Sequence, residues 1–199
     1  MTSRGAAPGR NAGFGKMILA LGMLGAVLAL PQPSLVQASA IVAMDLEELT
    51  RSSTRVVVAE VLAVRSRWNR ERTRIFSEID VRLAEVWKGK GKPGSRLTVV
   101  QPGGAVGDIE MRVHGLTAFS EGERTVLFLG GDEPAWVVGL GQGRRPLTFD
   151  VAAKTWIVEG GDRRAAVNLR KDGSFEHAGP VPPLPLSELR ARVRELVGR

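Results

Sequence analysis

Two glycine-rich segments contain the residues best suited to hold a polar ligand. They are Gln101-Pro-Gly-Gly-Ala-Val-Gly107 and Gly139-Leu-Gly-Gln-Gly143. Glycines let successive backbone amides face a bound anion, and the two glutamines add side-chain amides. The candidate site therefore consists of Gln101, Gly103, Gly104 and Gln142. The other interpretation, which we favour for the first segment, is a tight corner between strands that uses positive φ angles.

A cluster of arginines surrounds a tryptophan at a predicted hairpin tip. Trp68 lies among Arg65, Arg67, Arg70, Arg72 and Arg74. Basic side chains around an aromatic ring suit a polyanion or a single strand. Arg67, Trp68, Arg70 and Arg72 are the candidate binding residues. A solvated hairpin end is the simpler alternative.

Two acidic residues share one face of a predicted strand. Glu78 and Asp80 lie two residues apart, so they could bind a cation or divide acid and base roles. Arg74 and Arg82 have the same parity. Charge compensation on a solvated face is therefore the favoured interpretation.

The residues that usually carry catalysis are scarce. The chain has no cysteine and two histidines, His114 and His177, and it contains no HExxH or G-x-S-x-G motif. Ser120 lies six residues after His114, on a loop. We predict no metal, no cofactor and no enzyme activity, and the alternative is a hydrolase with an unrecognised site.

Periodicity predicts two short helices and a series of short strands. One helix covers about 45–53, where Asp45 and Glu48 form a capping box, and the other begins at a capping Ser187. A slip in alternation between Glu85 and Val86 predicts a β-bulge. Pro180–Pro185 is predicted to be a linker. The predicted strands are 55–64, 72–87, 96–101, 124–129, 135–140, 147–150, 154–159 and 166–169.

This element order favours an all-β fold, namely a small closed or partly open OB-like β-barrel with an N-terminal and a C-terminal helix. We expect the barrel domain at residues 41–179, followed by the proline-rich linker and helix at 180–199.

Residues 1–40 have the pattern of a secretory signal peptide. A basic start is followed by the uncharged run Met17 to Leu30, two prolines and Ala38-Ser39-Ala40. The alternative is a retained anchor, although the run is shorter than the ~20 residues of a spanning helix. Three of the 28 Lys and Arg residues lie in this leader and all 21 acids follow it, so the mature chain carries +4. We expect a periplasmic or extracellular protein without stable membrane insertion after cleavage.

Two stretches resemble a known domain family. One runs from Ser53-Thr-Arg-Val-Val-Val-Ala-Glu-Val61 to Val86-Trp-Lys-Gly89, and the other is Phe119-Ser-Glu-Gly-Glu-Arg-Thr-Val-Leu-Phe128. In this order they resemble the netrin-like domain, the OB-type barrel of tissue inhibitors of metalloproteinases. Gln101–Gly104 and Gly139–Gly143 also resemble motifs of exported bacterial proteins of unassigned function. The resemblance covers about residues 45–145 and concerns the fold more than the activity.

The resemblance implies a protein-binding role, with an extracellular protease as one possible partner. Those inhibitors chelate the protease zinc through an N-terminal cysteine, whereas the mature chain would begin at Ile41 and has no cysteine. We therefore expect a non-enzymatic binding domain that engages another macromolecule, most simply a protein. Alternative ligands are an acidic polysaccharide or another envelope polyanion, and an envelope component without a discrete ligand is a further alternative. Export argues against nucleic acid.

Overall fold

The computed structural model describes residues 41–199 of this chain, and the predicted leader lies outside the described residues. The described part is mostly β with two helices, as the sequence predicts. The helices are α1 (Leu46–Ser52) and α2 (Leu186–Val197). The strands are β1 (Ile41–Val42), β2 (Arg55–Trp68), β3 (Ile75–Lys88), β4 (Arg96–Pro102), β5 (Gly104–Val106), β6 (Ile109–Met111), β7 (Arg124–Gly130), β8 (Trp136–Val137), β9 (Arg144–Asp150), β10 (Thr155–Val158), β11 (Ala166–Leu169), β12 (Phe175–His177) and β13 (Leu184–Pro185).

The strands form three open sheets. The largest has the order β13-β10-β9-β7-β2-β3-β4, with β8 also paired to β7, and all its pairings are antiparallel. A second sheet has the order β1-β11-β12, and β5 pairs with β6 in a hairpin. One isolated parallel bridge joins Val99 of β4 to Ala135, just before β8.

The first half of strand β2 is buried on both faces, as its run of β-branched residues predicts. Val57, Ala59 and Val61 belong to a first apolar core with residues of β3, β4 and β7. Val56 and Val58 face a second core, which lies against the two helices. The main sheet thus has apolar packing on both sides of its centre.

The long strand β3 confirms the predicted alternation and the predicted bulge. Its register with β2 shifts three times: two shifts leave Ala84 and Trp87 of β3 without partners, and the third leaves Leu62 of β2 without one. Leu83 consequently packs in the first core and Trp87 in the second. The extra residues thus let one strand supply both cores.

The N-terminal cap of α1 is as predicted, whereas that of α2 is not. Asp45 caps α1, and its Oδ1 accepts from the Glu48 amide at 2.7 Å. Ser187 does not cap α2, because the N-cap is Pro185 and no side chain caps this helix. The chain stays extended up to Pro185, where β13 pairs with Ile157 of β10.

The proline-rich segment is therefore more than a linker. Its last residues form the edge strand β13, a position where proline costs no ladder bond. Helix α2 then buries Leu186, Leu189 and Val193 in the second core. In the described range 41–199, no helix combines the length and the apolar character needed to cross a membrane.

Candidate anion-binding site

The first glycine-rich segment forms a corner against the long hairpin. The Gly103 amide donates to the Ile75 carbonyl, and its carbonyl accepts from the Ser77 hydroxyl, each at 2.8 Å. A Cβ on Gly104 would overlap the hydroxyls of Ser66 and Ser77, and its φ of 130° also favours glycine. These backbone groups are thus used within the fold.

The two glutamines contact different segments and do not converge on one site. Gln142 is buried; its Oε1 accepts from the Met44 amide at 2.9 Å and its Nε2 donates to the Val42 carbonyl at 3.0 Å. Gln101 makes a long contact of 3.5 Å from its Nε2 to the Thr117 carbonyl. Gln142 therefore holds the N-terminal segment in place.

The acidic pair on β3 is neutralised by arginines of the neighbouring strand. Arg67 Nε donates to Glu78 Oε1 at 2.7 Å, and Arg65 pairs with Asp80. The hydrogen bond from Arg65, assisted by one from Thr98, lowers the pKa of the Asp80 carboxyl. The compensation we predicted occurs, but across the β2–β3 ladder rather than through Arg74 and Arg82; Arg82 pairs with Glu60.

The hairpin tip exposes three further arginines. Asn69 shapes the turn by accepting the Thr73 and Arg74 amides at 2.8 and 2.9 Å. Trp68 is half-buried. The exposed Arg70, Arg72 and Arg74 form no ion pair with any residue of the described range.

The histidines are exposed and lie on different elements, His114 in the loop after β6 and His177 on β12. Neither side chain donates to or accepts from another residue of the described chain, and residues 41–199 contain no group of three or more potential metal ligands. The absence of catalysis stays a prediction.

The structure brings together a site that the sequence patterns did not indicate. A pocket of about 490 Å³ is lined by residues 44–46, Arg145 of β9, Arg163 of the β10–β11 loop, residues 181–185 and the first two turns of α2. It shares Arg163 and Val181 with a neighbouring pocket of about 310 Å³. Five separate parts of the chain therefore meet around two arginines.

Arg145 is the most deeply placed of these side chains, with 4% of its surface exposed. Its guanidinium carbon lies 5.5 Å from the centre of the Phe128 ring, at the second core. Its Nε is buried and has no hydrogen-bond partner in the described chain. A buried donor of this kind usually has a hydrogen-bond partner, so the lack of one within the described chain requires an explanation.

Arg163 repeats this arrangement from another part of the chain. Its Nε is also buried without a partner among residues 41–199. The third such arginine, Arg190, ion-pairs with Glu85 at 2.6 Å through a different nitrogen. Arg145 and Arg163 are therefore the two that lack a carboxylate.

Each of these arginines has a sequence neighbour that is paired. Arg144 forms two hydrogen bonds with Glu123, at 3.0 and 2.6 Å. Arg164 does the same with Asp162, at 3.1 and 2.7 Å. The side-chain hydrogen bonding from Arg164 is the main reason why the pKa of the Asp162 carboxyl lies well below its ordinary value. In each Arg-Arg dipeptide, one arginine is neutralised and the other lines the pocket.

The electrostatics of the pocket favour an anion. Burial lowers the pKa of Arg145 to about 10, and the positive charge of Arg163 adds to the effect. Of the two carboxylates in the lining, Glu188 pairs with Arg192, and Asp45 caps α1. Neither forms an ion pair with Arg145 or Arg163 within the described chain. The desolvated Arg145 and the half-buried Arg163 thus line the pocket without an ion-pair partner in the described chain.

Three residues outside the lining help to position it. Gln142 fixes Met44, as described above. Gly161 packs so closely on Gln142 that a Cβ would overlap the Gln142 carbonyl. The Asp162 amide donates to the Gly141 carbonyl at 3.0 Å, and its carboxylate accepts from Thr117 at 2.8 Å. The loop that carries Arg163 is thus anchored to the second glycine-rich segment.

Comparison of the chain with protein-family models, curated proteins and solved structures finds no match. The resemblance to the netrin-like domain therefore stays a prediction, and the site must be interpreted from its own chemistry.

Proposed function

We propose that this protein is a non-enzymatic binding domain that engages another protein, and that an acidic group of the partner enters the arginine pocket. The observation that carries the proposal is the pair Arg145 and Arg163, whose buried Nε atoms have no partner in the described chain. A desolvated charge without a counter-ion destabilises a fold. A ligand that supplies the missing negative charge removes this penalty on binding.

We propose in addition that the strands form a distorted OB-type barrel of the netrin-like kind. The order β7-β2-β3-β4 and the first core between these strands support this fold. The Val99–Ala135 bridge and the β7–β8 pairing also support it, because they link the two ends of this path. An extracellular protease as partner would have to be bound without the cysteine-led zinc chelation of the metalloproteinase inhibitors.

The proposed place of action is the periplasm or the extracellular space. It is supported by the basic, then apolar, then small-residue order of residues 1–40. N-terminal sequencing of the protein from its native source tests this point, because cleavage after Ala40 predicts a first residue of Ile41.

Partner capture tests the binding function. Tagged protein recovered from the native envelope or medium should carry a stoichiometric partner. Arg145→Met and Arg163→Met should lose it, because each removes a positive charge from the pocket while keeping side-chain length. The matched control is Arg164→Met, which removes an exposed arginine beside the pocket. An unchanged partner on both pocket variants, or none on the wild type, contradicts the proposal.

A second candidate function is polyanion binding at the hairpin tip. It rests on Arg70, Arg72 and Arg74, which are exposed and unpaired within the described range. Heparin retention should fall steeply with salt, because exposed charges are screened over ~10 Å at 0.1 M. Charge reversal at Arg70, Arg72 and Arg74 should abolish it. Passage of the wild type through the column at low salt would exclude this function.

A further inference from the structure

We propose that the group bound in the arginine pocket is a phosphate monoester on a side chain of the partner protein. This inference rests on the proposed function and specifies its ligand. The pocket contains two guanidinium groups without carboxylates, and both have an unpartnered buried Nε among the described residues. The ligand must therefore satisfy two cations at once.

The charge of the ligand follows from the charge of the site. A carboxylate carries one negative charge, so it would leave one of the two arginines uncompensated. A phosphate monoester carries about −1.5 to −2 at pH 7. It can therefore neutralise both Arg145 and Arg163, and this relieves the repulsion that contributes to the lowered pKa of Arg145.

The number of acceptor atoms leads to the same group. Each guanidinium presents a fork of donors that matches two oxygens. A carboxylate has two oxygens, enough for one fork, whereas a phosphate monoester has three terminal oxygens. Two forks that approach from β9 and from the β10–β11 loop can thus share its oxygens.

The start of α2 borders the same pocket. Its N-cap residue Pro185 and its first-turn residue Glu188 line the pocket, and no side chain caps the helix. First-turn amides and the helix dipole favour an anion. Arg145, almost fully buried and lining the same pocket, is the independent observation that makes this helix end part of a site.

The remaining lining indicates what carries the ester. The cavity of about 490 Å³ is larger than a phosphate group, and Met44, Pro182, Pro183 and Leu184 supply apolar surface. Such surface suits the hydrocarbon and backbone of a phosphorylated side chain in an extended segment better than a sugar, which requires many hydrogen bonds.

Calorimetry with small anions tests the chemistry of the site. The purified protein is titrated at pH 7 with phenyl phosphate, phenyl sulfate and benzoate, which share the ring and differ in the anion. The affinity for phenyl phosphate should be higher than that for either of the other two by about tenfold or more. Its affinity should rise between pH 5 and 7, because its second proton is lost near pH 6. The affinity for phenyl sulfate should not change over this range.

The variants locate the binding. Arg145→Met and Arg163→Met should each weaken phenyl phosphate binding about tenfold or more, whereas Arg164→Met should leave it within about twofold. Circular dichroism and thermal unfolding verify that each variant is folded. Equal losses in Arg164→Met, or no loss in the pocket variants, would overturn the assignment.

The other outcomes are also decisive. Benzoate or phenyl sulfate binding as tightly as phenyl phosphate would overturn the dianion but leave the binding function intact. No binding of any of the three would overturn the inference, and the capture experiment with Arg145→Met would show separately whether the pocket still binds a protein. A phosphoserine peptide should bind more tightly than glucose 6-phosphate, and the reverse order would overturn the protein source.

Discussion

Arginines occupy two regions of this protein in opposite ways. On the β2–β3 ladder, Arg65 and Arg67 are more than half exposed, and each faces a carboxylate. In the pocket, Arg145 is almost fully buried, and neither it nor Arg163 forms an ion pair within the described chain. The ladder arginines are thus paired although solvent already stabilises their charge. The pocket arginines are unpaired although a counter-ion would stabilise a buried charge more strongly.

The comparison teaches that ion pairing and function are separate in this fold. Exposed pairs contribute only about 0–1 kcal/mol, so the ladder has little effect on stability. The buried pair Arg144–Glu123, with side chains 11% and 14% exposed, shows that the fold can neutralise a buried arginine. Arg145 lies one residue away on the opposite face of β9. Its unpaired state is therefore a property of that face, and we expect it to serve a ligand.

The largest expected effect comes from breaking the buried pair. Arg144→Met should lower the free energy of unfolding by about 3–5 kcal/mol, because it leaves Glu123 buried without its cation. Urea denaturation measures the change. The double variant Arg144→Met/Glu123→Leu is the control and should recover most of the loss. A loss under about 1 kcal/mol in the single variant would show that the pair behaves like a surface pair.

The neighbouring substitution should have the opposite sign. Arg145→Met should raise the free energy of unfolding by about 1–3 kcal/mol, because it removes a desolvated charge that has no partner. The same variant should bind phenyl phosphate about tenfold or more weakly. Destabilisation by this variant would mean that Arg145 stabilises the fold, and would contradict a role in ligand binding alone.

The pH dependence sharpens the contrast further. Because the folded-state pKa of Arg145 is lowered to about 10, this side chain loses its charge as the pH rises past that value. Phenyl phosphate affinity should therefore fall above about pH 10 and be constant between pH 7 and 9. The fall should be absent from the residual binding of Arg145→Met; a fall of equal size there would assign the titration to another group.

The smallest effect is expected at the ladder. Arg67→Met should change the free energy of unfolding by less than about 1 kcal/mol, because the Arg67 and Glu78 side chains are 65% and 27% exposed. The same urea experiment measures it. A loss as large as that of Arg144→Met would remove the distinction between the two regions.

Much of the fold could be predicted from local pattern. The alternation of β3, its bulge, the two-faced burial of β2 and the Asp45 cap all depend on residues close together in sequence. The strands β1, β5, β6, β12 and β13 were missed, because two or three residues are too few to show a period. Strands β1 and β13 form because a strand distant in sequence pairs with them, whereas β5 and β6 pair with each other in a short hairpin and β12 pairs with the neighbouring β11.

The site depended on longer contacts. Gln142 was selected as a ligand contact, but its hydrogen bonds go to Val42 and Met44, about a hundred residues away. Arg145 and Arg163 belong to no pattern that predicts a site, because an Arg-Arg dipeptide is typical of solvated surface. The dipeptide Arg144-Arg145 was one available signal, since it lies close to the predicted strand 147–150 and alternation on a strand sends such neighbours to opposite faces. No comparable signal marks Arg163-Arg164, which lies in the β10–β11 loop.

The sequence by itself determined the β-rich class, the strand that serves two cores and the charge, because these follow from residue type and short spacing. Only the tertiary structure decided which arginines meet carboxylates and which do not. The reason is that desolvation and pairing depend on distances between separate elements, and the pocket forms only when β9, the β10–β11 loop, β13 and α2 pack together.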